Sequence, residues 1–333
     1  MTLAFTICSV NYLAQAQTLG DSLKQTNPDY QYVIGLVDKL SVANLPPDLM
    51  PDYPMVEVDK IGIPDFAGMC ERYDITELNT AVKPFFIDYF FSTQADVKQV
   101  IYFDPDIIVF QPLVKLNQDL TQYSLVLTPH MCFPTPDWER PNELHHLNTG
   151  IYNLGFIGLR NDATARQFVN WWKDRLVYEC RNDLCAGLFV DQLWVNFAPI
   201  YYENVLIDCR LGYNVAYWNL HERYLSRNEA DQWQVSNPEA ETADELQFFH
   251  YSGYNPYRPK EVSKYQTRYD FTMRPDAWPL FDLYRERLLT NHNDRYRHYP
   301  CVYIKPPVVL RYKRVRKALK APFNQIIALL ESY

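Results

Sequence analysis

The chain has 333 residues and a formal net charge of −8 at pH 7, with 47% hydrophobic and 15% aromatic residues. This length and composition suit one large α/β domain with additions or two modest domains, and the negative charge argues against nucleic acid as a partner. Seven cysteines are scattered through the chain without a Cys-x-x-Cys pair, which argues against a zinc site and indicates reduced thiols.

The first forty residues predict a strand, a helix and a second strand. An apolar run covers residues 3–10, a helical pattern continues to about residue 25, and a second apolar run covers residues 32–37. This spacing is typical of a βαβ unit in a parallel sheet, and ligands of such sheets bind beyond the carboxyl ends of the strands. We therefore expect three polar residues there to lie near any bound nucleotide, or to cap neighbouring backbone groups. They are Asn11, Tyr12 and Asp38.

A single lysine interrupts the next apolar segment. Residues 73–91 have a helical pattern with an apolar face, and Lys83 is the one cation in this run. A lysine on a mostly buried helix either extends its ammonium group to water or meets an anion. The strand that leads to Asp104 follows directly, which favours an anion, either a carboxylate or a phosphate.

The strongest chemical signal lies between residues 100 and 110. Four apolar residues lead into Asp104-Pro105-Asp106, and four more follow, as in a buried strand that ends at an acidic turn. Two carboxylates held so close cost several kcal/mol in a low-dielectric setting unless a cation joins them. A hard divalent ion that also carries the phosphates of a substrate would meet this need. The alternative is a plain turn, since Asp-Pro-Asp is good turn chemistry.

A long loop and a strand with an asparagine follow. Residues 128–148 predict a loop, and loops of this length are usually functional lids or disordered. Residues 148–158 predict a strand with glycines at alternating points and Asn153 inside the apolar run. Glycine in a strand often marks the close approach of a ligand. The amide of Asn153 needs partners, either a substrate hydroxyl or a neighbouring backbone group.

Two later motifs carry polar side chains at the ends of elements. Asp191 and Gln192 stand together at a predicted helix start, where Asp191 could act simply as an N-cap. The predicted strand at residues 246–253 ends in His250 and Gly253. A lone histidine at a strand end is usually structural. Here His250 is a candidate third ligand for an ion at Asp104 and Asp106, because imidazole suits manganese-type ions.

Both ends of the chain bear on where the protein works. Residues 3–10 are too short for a signal peptide or a membrane span, and no basic segment precedes them. Residues 305–320 contain seven basic side chains and no acidic one, interleaved with apolar residues. Such a segment predicts docking on an anionic membrane surface; a solvated helix that completes the fold is the alternative. We expect a cytoplasmic protein, peripheral at the inner face of the membrane if residues 305–333 dock there.

Together these motifs resemble those of a GT-A-fold glycosyltransferase and are most similar to bacterial relatives of glycosyltransferase family 8. The resemblance covers about residues 3–260, and the order and spacing of six short motifs carry it. The matching segments are residues 6–12, Ala81-Val82-Lys83-Pro84-Phe85, Asp104-Pro105-Asp106, Asn153-Leu154-Gly155, Asp191-Gln192 and His250-Tyr251-Ser252-Gly253.

The resemblance implies an α/β fold of the GT-A (Rossmann-like) type, with a mixed, mostly parallel central sheet flanked by helices. We expect a catalytic domain that binds a nucleotide sugar in residues 1–260, and a helical, basic C-terminal extension in residues 261–333. The implied activity is that of a metal-dependent hexosyltransferase that moves a sugar from a nucleoside diphosphate, UDP being the expected nucleotide, to an acceptor hydroxyl. Retention of the anomeric configuration and a role in bacterial polysaccharide or glycoconjugate synthesis are also implied.

The resemblance also assigns roles to residues and partners. The cofactor is Mn²⁺ or Mg²⁺, and the acceptor is a carbohydrate, a lipid-linked molecule or a glycoconjugate. The implied metal ligands are Asp104, Asp106 and His250. The implied contacts to the donor nucleotide are Ser9, Asn11, Tyr12, Lys83, Asp104 and Gly253. The implied catalytic residues, which orient the donor sugar, are Asn153, Asp191 and Gln192.

One departure and two alternatives remain. The family often carries a lysine three residues after the glycine of the His-x-x-Gly motif, where this chain has Pro256. Phosphate binding would then fall to Lys83, to the ion or to Arg258. The first alternative is a nucleotidyltransferase, which would release pyrophosphate. The second is a non-catalytic carbohydrate-binding protein on a decayed transferase fold.

Overall fold

The protein is described by a computed structural model that covers residues 1–303 together with Pro322. Residues 1–303 form one compact unit. The predicted basic, helical segment at residues 305–320 and its predicted membrane contact lie outside the described residues.

Fifteen strands and twelve α-helices make up this unit. The strands are β1 (Thr2–Cys8), β2 (Gln31–Leu36), β3 (Met55–Glu57), β4 (Gln99–Phe103), β5 (Ile107–Val109), β6 (Leu125–Leu127), β7 (Phe156–Arg160), β8 (Asn182–Asp183), β9 (Leu188–Phe189), β10 (Val205–Ile207), β11 (Val215–Ala216), β12 (Tyr224–Arg227), β13 (Trp233–Asn237), β14 (Thr242–Glu245) and β15 (Phe248–His250). The helices are α1 (Leu13–Thr26), α2 (Leu40–Ala43), α3 (Phe66–Arg72), α4 (Ile75–Ala81), α5 (Lys83–Thr93), α6 (Val114–Gln122), α7 (Glu143–Thr149), α8 (Ala163–Leu176), α9 (Gln192–Val195), α10 (Ala198–Tyr201), α11 (Trp278–Thr290) and α12 (Asn293–Tyr296).

The central sheet has seven strands in the order β10-β6-β7-β4-β1-β2-β3. Every neighbouring pair is parallel except the two that involve β7, which runs antiparallel to β4 and β6. The predicted mixed, mostly parallel α/β sheet is therefore confirmed. The predicted βαβ unit is β1, α1 and β2, and Phe5 of β1 lies opposite Val33 of β2 and Tyr102 of β4.

The hydrophobic core lies in two layers, one on each face of this sheet. Successive side chains of a strand point to opposite faces, so Ala4 and Cys8 of β1 pack in the layer that contains α1 and α11. Leu3, Phe5 and Ile7 pack in the other layer, with α5 and α8. Because both faces are covered, β1 reads as a nearly continuous apolar run in the sequence.

A second, three-stranded sheet continues from the first and brings distant segments together. Its order is β11-β15-β5, and β15 runs antiparallel to β5 so that His250 lies opposite Ile107. The turn between β4 and β5 holds Asp104, Pro105 and Asp106, and it joins the two sheets. The end of β15 is thereby placed beside the acidic turn.

Two predictions near residue 150 are wrong. The expected loop over residues 128–148 contains most of α7, because Asn142 Oδ1 accepts a hydrogen bond from the Leu144 amide at 3.1 Å and caps the helix. The expected strand over residues 148–158 begins only at Phe156. Gly150, with φ of +115°, ends α7, so this glycine marks a helix end and not a position within a strand.

Helices α11 and α12 belong to the same compact unit as the sheet. Both pack against α1, and the rings of Tyr251 and Tyr284 stack with centroids 4.0 Å apart. Asn291 Nδ2 donates to Thr18 Oγ1 of α1 at 2.9 Å. The domain boundary expected after residue 260 therefore falls inside this unit, since residues 278–296 complete the core layer over α1.

Among the helices described here, none is both long enough and apolar enough to cross a bilayer.

Candidate active site

Parallel strands of the central sheet end at one edge and carry polar side chains there. Ser9 directly follows β1, and Asp104 directly follows β4. A cavity of about 230 Å³ opens at this edge, the position where sheets of this kind bind ligands. The predicted site residues that line it are Ser9, Asn11, Tyr12, Asp104 and Asp106.

Three predicted metal ligands converge beside this cavity. One ligand atom each of Asp104, Asp106 and His250 lies within 4.8 Å of the others. The Nε2 atom of His250 lies 3.0 Å from Asp106 Oδ1 and 3.6 Å from Asp104 Oδ2. Burial of His250 disfavours its charged form, but the carboxylates of Asp106 and Asp104 outweigh this effect and raise the pKa of the imidazole.

This group of donor atoms fits a divalent cation. Two carboxylates and one imidazole suit Mn²⁺, and the carboxylates alone suit Mg²⁺. Tyr102 donates its hydroxyl proton to Asp104 Oδ1 at 2.6 Å, which orients this carboxylate as an outer-shell partner does at a metal site. Sequence reasoning missed Tyr102, although it stands two residues before Asp104 on the same strand face.

Backbone hydrogen bonds hold the acidic turn in place. The Asp104 amide donates to the Gly155 carbonyl at 2.7 Å, and the Tyr251 amide donates to the Asp106 carbonyl at 2.8 Å. One bond comes from the segment before β7 and the other from the residue after His250. The positions of the two carboxylates therefore depend on both sheets.

Gly155 leaves the space that the His250 ring occupies. A Cβ atom at residue 155 would lie 2.4 Å from His250 Cε1 and 2.7 Å from His250 Nδ1. Neither distance is compatible with van der Waals packing, so any larger residue would displace the imidazole. The glycine of the Asn153-Leu154-Gly155 motif thus has a direct physical reason to be here.

The amide of Asn153 is engaged within the protein. Its Oδ1 accepts from the Gly155 amide at 3.1 Å and from Asn214 Nδ2 at 3.0 Å. Its Nδ2 lies 3.3 Å from His130 Nε2. His130 Nδ1 faces the Ile151 carbonyl at 3.1 Å and so carries the proton, which leaves Nε2 as an acceptor for Asn153. Of the two partners expected from the sequence, a neighbouring group of the protein is the one that the structure places there.

His130 belongs to a buried pair of neutral rings. Burial lowers the pKa of His130 to about 4 and that of His146 to about 2. The two rings stack with centroids 4.2 Å apart. Both histidines are therefore uncharged near neutral pH, and His130 contacts the Asn153 amide through its Nε2 atom.

Lys83 forms a buried ion pair with a carboxylate, that of Asp191. Its Nζ lies 2.5 Å from Asp191 Oδ2 and 2.7 Å from the Leu154 carbonyl, and it stands 4.3 Å from the centre of the Tyr102 ring. The side chains of Lys83 and Asp191 are only 1% and 3% exposed. Burial raises the pKa of Asp191, although the Lys83 ammonium opposes the shift. Of the two predicted anions, a carboxylate is therefore the partner of Lys83.

Asp191 and Gln192 are both held in fixed positions. Asp191 precedes α9 but makes no capping bond within the described part of the chain, because its side chain turns to Lys83. The indole of Trp172 donates to the Asp191 carbonyl at 3.1 Å, and Gln192 Nε2 donates to the Thr149 carbonyl at 2.7 Å. The predicted N-cap alternative for Asp191 is thus not realised.

The remaining predicted residues divide into cavity residues and structural ones. Asp38 is 1% exposed and caps backbone amides, accepting from Val10 at 3.3 Å and from Val302 at 3.0 Å. Its expected alternative, a structural cap, is therefore the one observed. Gly253 has φ of +73° and lies three residues beyond His250.

Sequence reasoning missed the contribution of α4 to the cavity, because the side chains of α4 that line it carry no motif of their own. They are Ile75, Thr76, Asn79 and Thr80.

Two bacterial proteins are similar to this chain in sequence. No family model matches the sequence. The chain is 26% identical over 290 residues to the uncharacterized protein YfnF of Bacillus subtilis (strain 168), covering 86% of this chain and 92% of YfnF. It is 22% identical over 260 residues to the uncharacterized protein YfnD of the same strain, covering 78% and 79% of the two chains.

A solved structure shares the architecture. The galactosyltransferase LgtC, in complex with donor and acceptor sugar analogs, matches with a TM-score of 0.50 and 15% sequence identity. The match covers 87% of this chain and 96% of LgtC. The chain therefore has the fold of a glycosyltransferase, as the motifs predicted, while membership of glycosyltransferase family 8 stays a prediction.

The buried ion pair yields a prediction about stability. We expect Lys83→Met to lower the free energy of unfolding by about 3–5 kcal/mol, because it leaves Asp191 buried without its partner. The double variant Lys83→Met/Asp191→Leu should lose much less than the sum of the single losses, as urea denaturation will measure. Lys39→Met, at the exposed pair with Asp59, is the control and should cost less than about 1 kcal/mol. Additive losses at residues 83 and 191 would contradict the coupling.

The packing of Gly155 yields a prediction about metal binding. Gly155→Ala should weaken Mn²⁺ binding by about 10–100-fold, the range found when the support of a metal ligand is removed. The physical reason is displacement of His250 by the new methyl group. Calorimetric titration of Mn²⁺ measures it. Gly158→Ala on β7 is the matched control, since its Cβ would meet only leucine methyl groups at 3.3 Å or more. Equal affinities of the two variants would refute this role of Gly155.

Proposed function

We propose that the protein is a metal-dependent glycosyltransferase that moves a hexose from a nucleoside diphosphate, UDP being the expected nucleotide, to a hydroxyl group of an acceptor. The observation that carries the proposal is the convergence of Asp104, Asp106 and His250 beside a cavity at the carboxyl edge of the sheet. The fold shared with a galactosyltransferase supports it. The residues that the motifs assign to the metal and to the nucleotide sugar all lie within residues 1–260.

The three converging residues would hold Mn²⁺ or Mg²⁺. Such an ion supplies Lewis-acid stabilisation to a leaving diphosphate. Tyr102 keeps Asp104 oriented through its hydroxyl, and Gly155 keeps the His250 ring in place by leaving room for it. Contacts within the protein thus hold the side chains of Asp104 and His250 in position for an ion.

The nucleoside would occupy the cavity next to these ligands. Tyr12 is 46% exposed and offers a ring face for stacking on a base. Ser9 and Asn11 line the same cavity and supply a hydroxyl and an amide for hydrogen bonds to the ribose and base. Gly253, three residues after His250, belongs to the same proposed donor site.

Asp191 and Gln192 would orient the transferred sugar. Their side chains are already fixed, the carboxylate by Lys83 and the amide by the Thr149 carbonyl, so little conformational freedom is lost when they meet a ligand. Lys83 would act by holding the Asp191 carboxylate in position. Asn153 would act through its hydrogen bond with Asn214. Retention of the anomeric configuration belongs to the proposal through the resemblance of the motifs.

The acceptor would be a carbohydrate, a lipid-linked molecule or a glycoconjugate in bacterial glycan synthesis. That LgtC was crystallised with an acceptor sugar analog supports a carbohydrate acceptor. A cytoplasmic location and docking of residues 305–333 on an anionic membrane stay predictions.

Turnover of UDP-sugars tests the proposal. With Mn²⁺, the wild-type protein should release UDP from a UDP-hexose, and Asp106→Ala should reduce the rate by about 10²–10³-fold, as loss of electrostatic stabilisation does elsewhere. The exposed Asp29→Ala is the control and should keep the wild-type rate. Full activity of Asp106→Ala would contradict the proposed metal site.

The product also separates the alternatives. Release of pyrophosphate in place of UDP would favour a nucleotidyltransferase. Sugar binding that needs no metal and gives no turnover would favour a non-catalytic carbohydrate-binding protein.

A further inference from the structure

The proposed site lacks the positive charge that a bound diphosphate needs. A divalent ion would balance the carboxylates of Asp104 and Asp106, but each phosphate of a nucleoside diphosphate brings a further negative charge. Lys83 cannot balance it, since its ammonium is buried and already neutralised by Asp191 at 2.5 Å. A further cation that reaches the phosphates would stabilise the bound diphosphate through charge-assisted hydrogen bonds. The proposed function, on which this step rests, therefore calls for a further cation from this chain.

The loop at residues 263–265 folds back onto the segment that follows His250. The Lys264 amide donates to the Gly253 carbonyl at 3.2 Å, and Ser263 Oγ donates to the Ser252 carbonyl at 2.8 Å. A Cβ atom at Gly253 would lie 2.5 Å from Ser263 Oγ and 2.6 Å from the Tyr265 ring. Close packing against this glycine therefore fixes the backbone of the loop beside the metal-ligand cluster.

The side chain of Lys264 is exposed at this position. Its ammonium stands 4.8 Å from the centre of the Tyr265 ring, and no carboxylate of residues 1–303 lies within ion-pair distance of it. Tyr12 lines the cavity, and burial and the charge of Asp106 raise the pKa of its phenol while the ammonium of Lys264 opposes this shift. Lys264 therefore lies near the ring of Tyr12 that lines the cavity.

The other cation expected from the sequence is differently placed. Arg258 pairs with Glu261 at 3.6 Å, and its side chain is 69% exposed. Pro256 carries no charge. Lys264 thus combines an anchored backbone, an ammonium without a carboxylate partner among residues 1–303, and a position near the cavity-lining Tyr12.

We propose that Lys264 binds the diphosphate of the donor, moving its ammonium from the ring of Tyr265 onto the phosphate oxygens. The four-carbon stem of lysine allows this movement while the backbone stays bonded to Gly253. Lys264 then supplies the charge that Lys83 cannot. As the bond to the sugar breaks, negative charge accumulates on the diphosphate and the attraction of Lys264 grows.

The test compares the wild-type protein with three variants by calorimetric titration with UDP and with uridine in the presence of Mn²⁺. Lys264→Ala should bind UDP about 10–100-fold more weakly than the wild-type protein, the effect of losing a charge-assisted hydrogen bond. Its affinities for uridine and for Mn²⁺ should be unchanged. Lys264→Arg should recover most of the UDP affinity. Lys260→Ala, the same change of charge four residues away on an exposed side chain, should bind like the wild type.

Each other outcome overturns the proposal in a recognisable way. Equal UDP affinities of Lys264→Ala and Lys260→Ala would remove Lys264 from the site and leave the proposed function standing. Equal weakening of UDP and uridine, without recovery in Lys264→Arg, would reduce Lys264 to a structural residue of the loop. If the wild-type protein with Mn²⁺ bound neither UDP nor inorganic pyrophosphate, the proposed function would fail together with the role of Lys264.

Discussion

Two carboxylates held in one turn between two sheets set the condition that the surrounding residues meet. Asp104 and Asp106 cannot move apart, because their backbones are bonded to Gly155 and to Tyr251. Their mutual repulsion must therefore be relieved by a positive group brought to them. The imidazole of His250 lies within reach, and the same three side chains offer the oxygen and nitrogen donors that a divalent cation prefers. The three-stranded sheet β11-β15-β5 places His250 beside the turn that holds Asp104 and Asp106.

The site contains a buried ion pair and a more exposed group of charged side chains. The buried charges of Lys83 and Asp191 neutralise each other, and the Lys83 ammonium also donates to the Leu154 carbonyl. The open cluster of Asp104, Asp106 and His250 keeps its charge available to an ion. This separation explains why Lys83, although close to the acidic turn, is not free to bind a phosphate, and why we assign that role to the exposed Lys264.

Features with a local cause could be predicted from the sequence, and features made by distant contacts could not. Hydrophobic periodicity identified β1, α1 and β2, and the acidic turn after β4 was visible in its own residues. The partner of Lys83 lies 108 residues away, so a helical pattern could suggest an anion but could not identify it. The role that we propose for Lys264 could not be predicted from the sequence, because it depends on the packing of its loop against Gly253. The helix α7 was missed because its cap, Asn142, lies in a stretch rich in loop-forming residues.

Calorimetric titration of UDP into the purified protein, first with Mn²⁺ and then with EDTA, tests the central claim most directly. The arrangement of the three ligands at the cavity predicts UDP binding in the micromolar range that EDTA abolishes. UDP binding that is unchanged by EDTA would contradict the role assigned to Asp104, Asp106 and His250. No binding under either condition would contradict a nucleoside diphosphate site at this edge of the sheet.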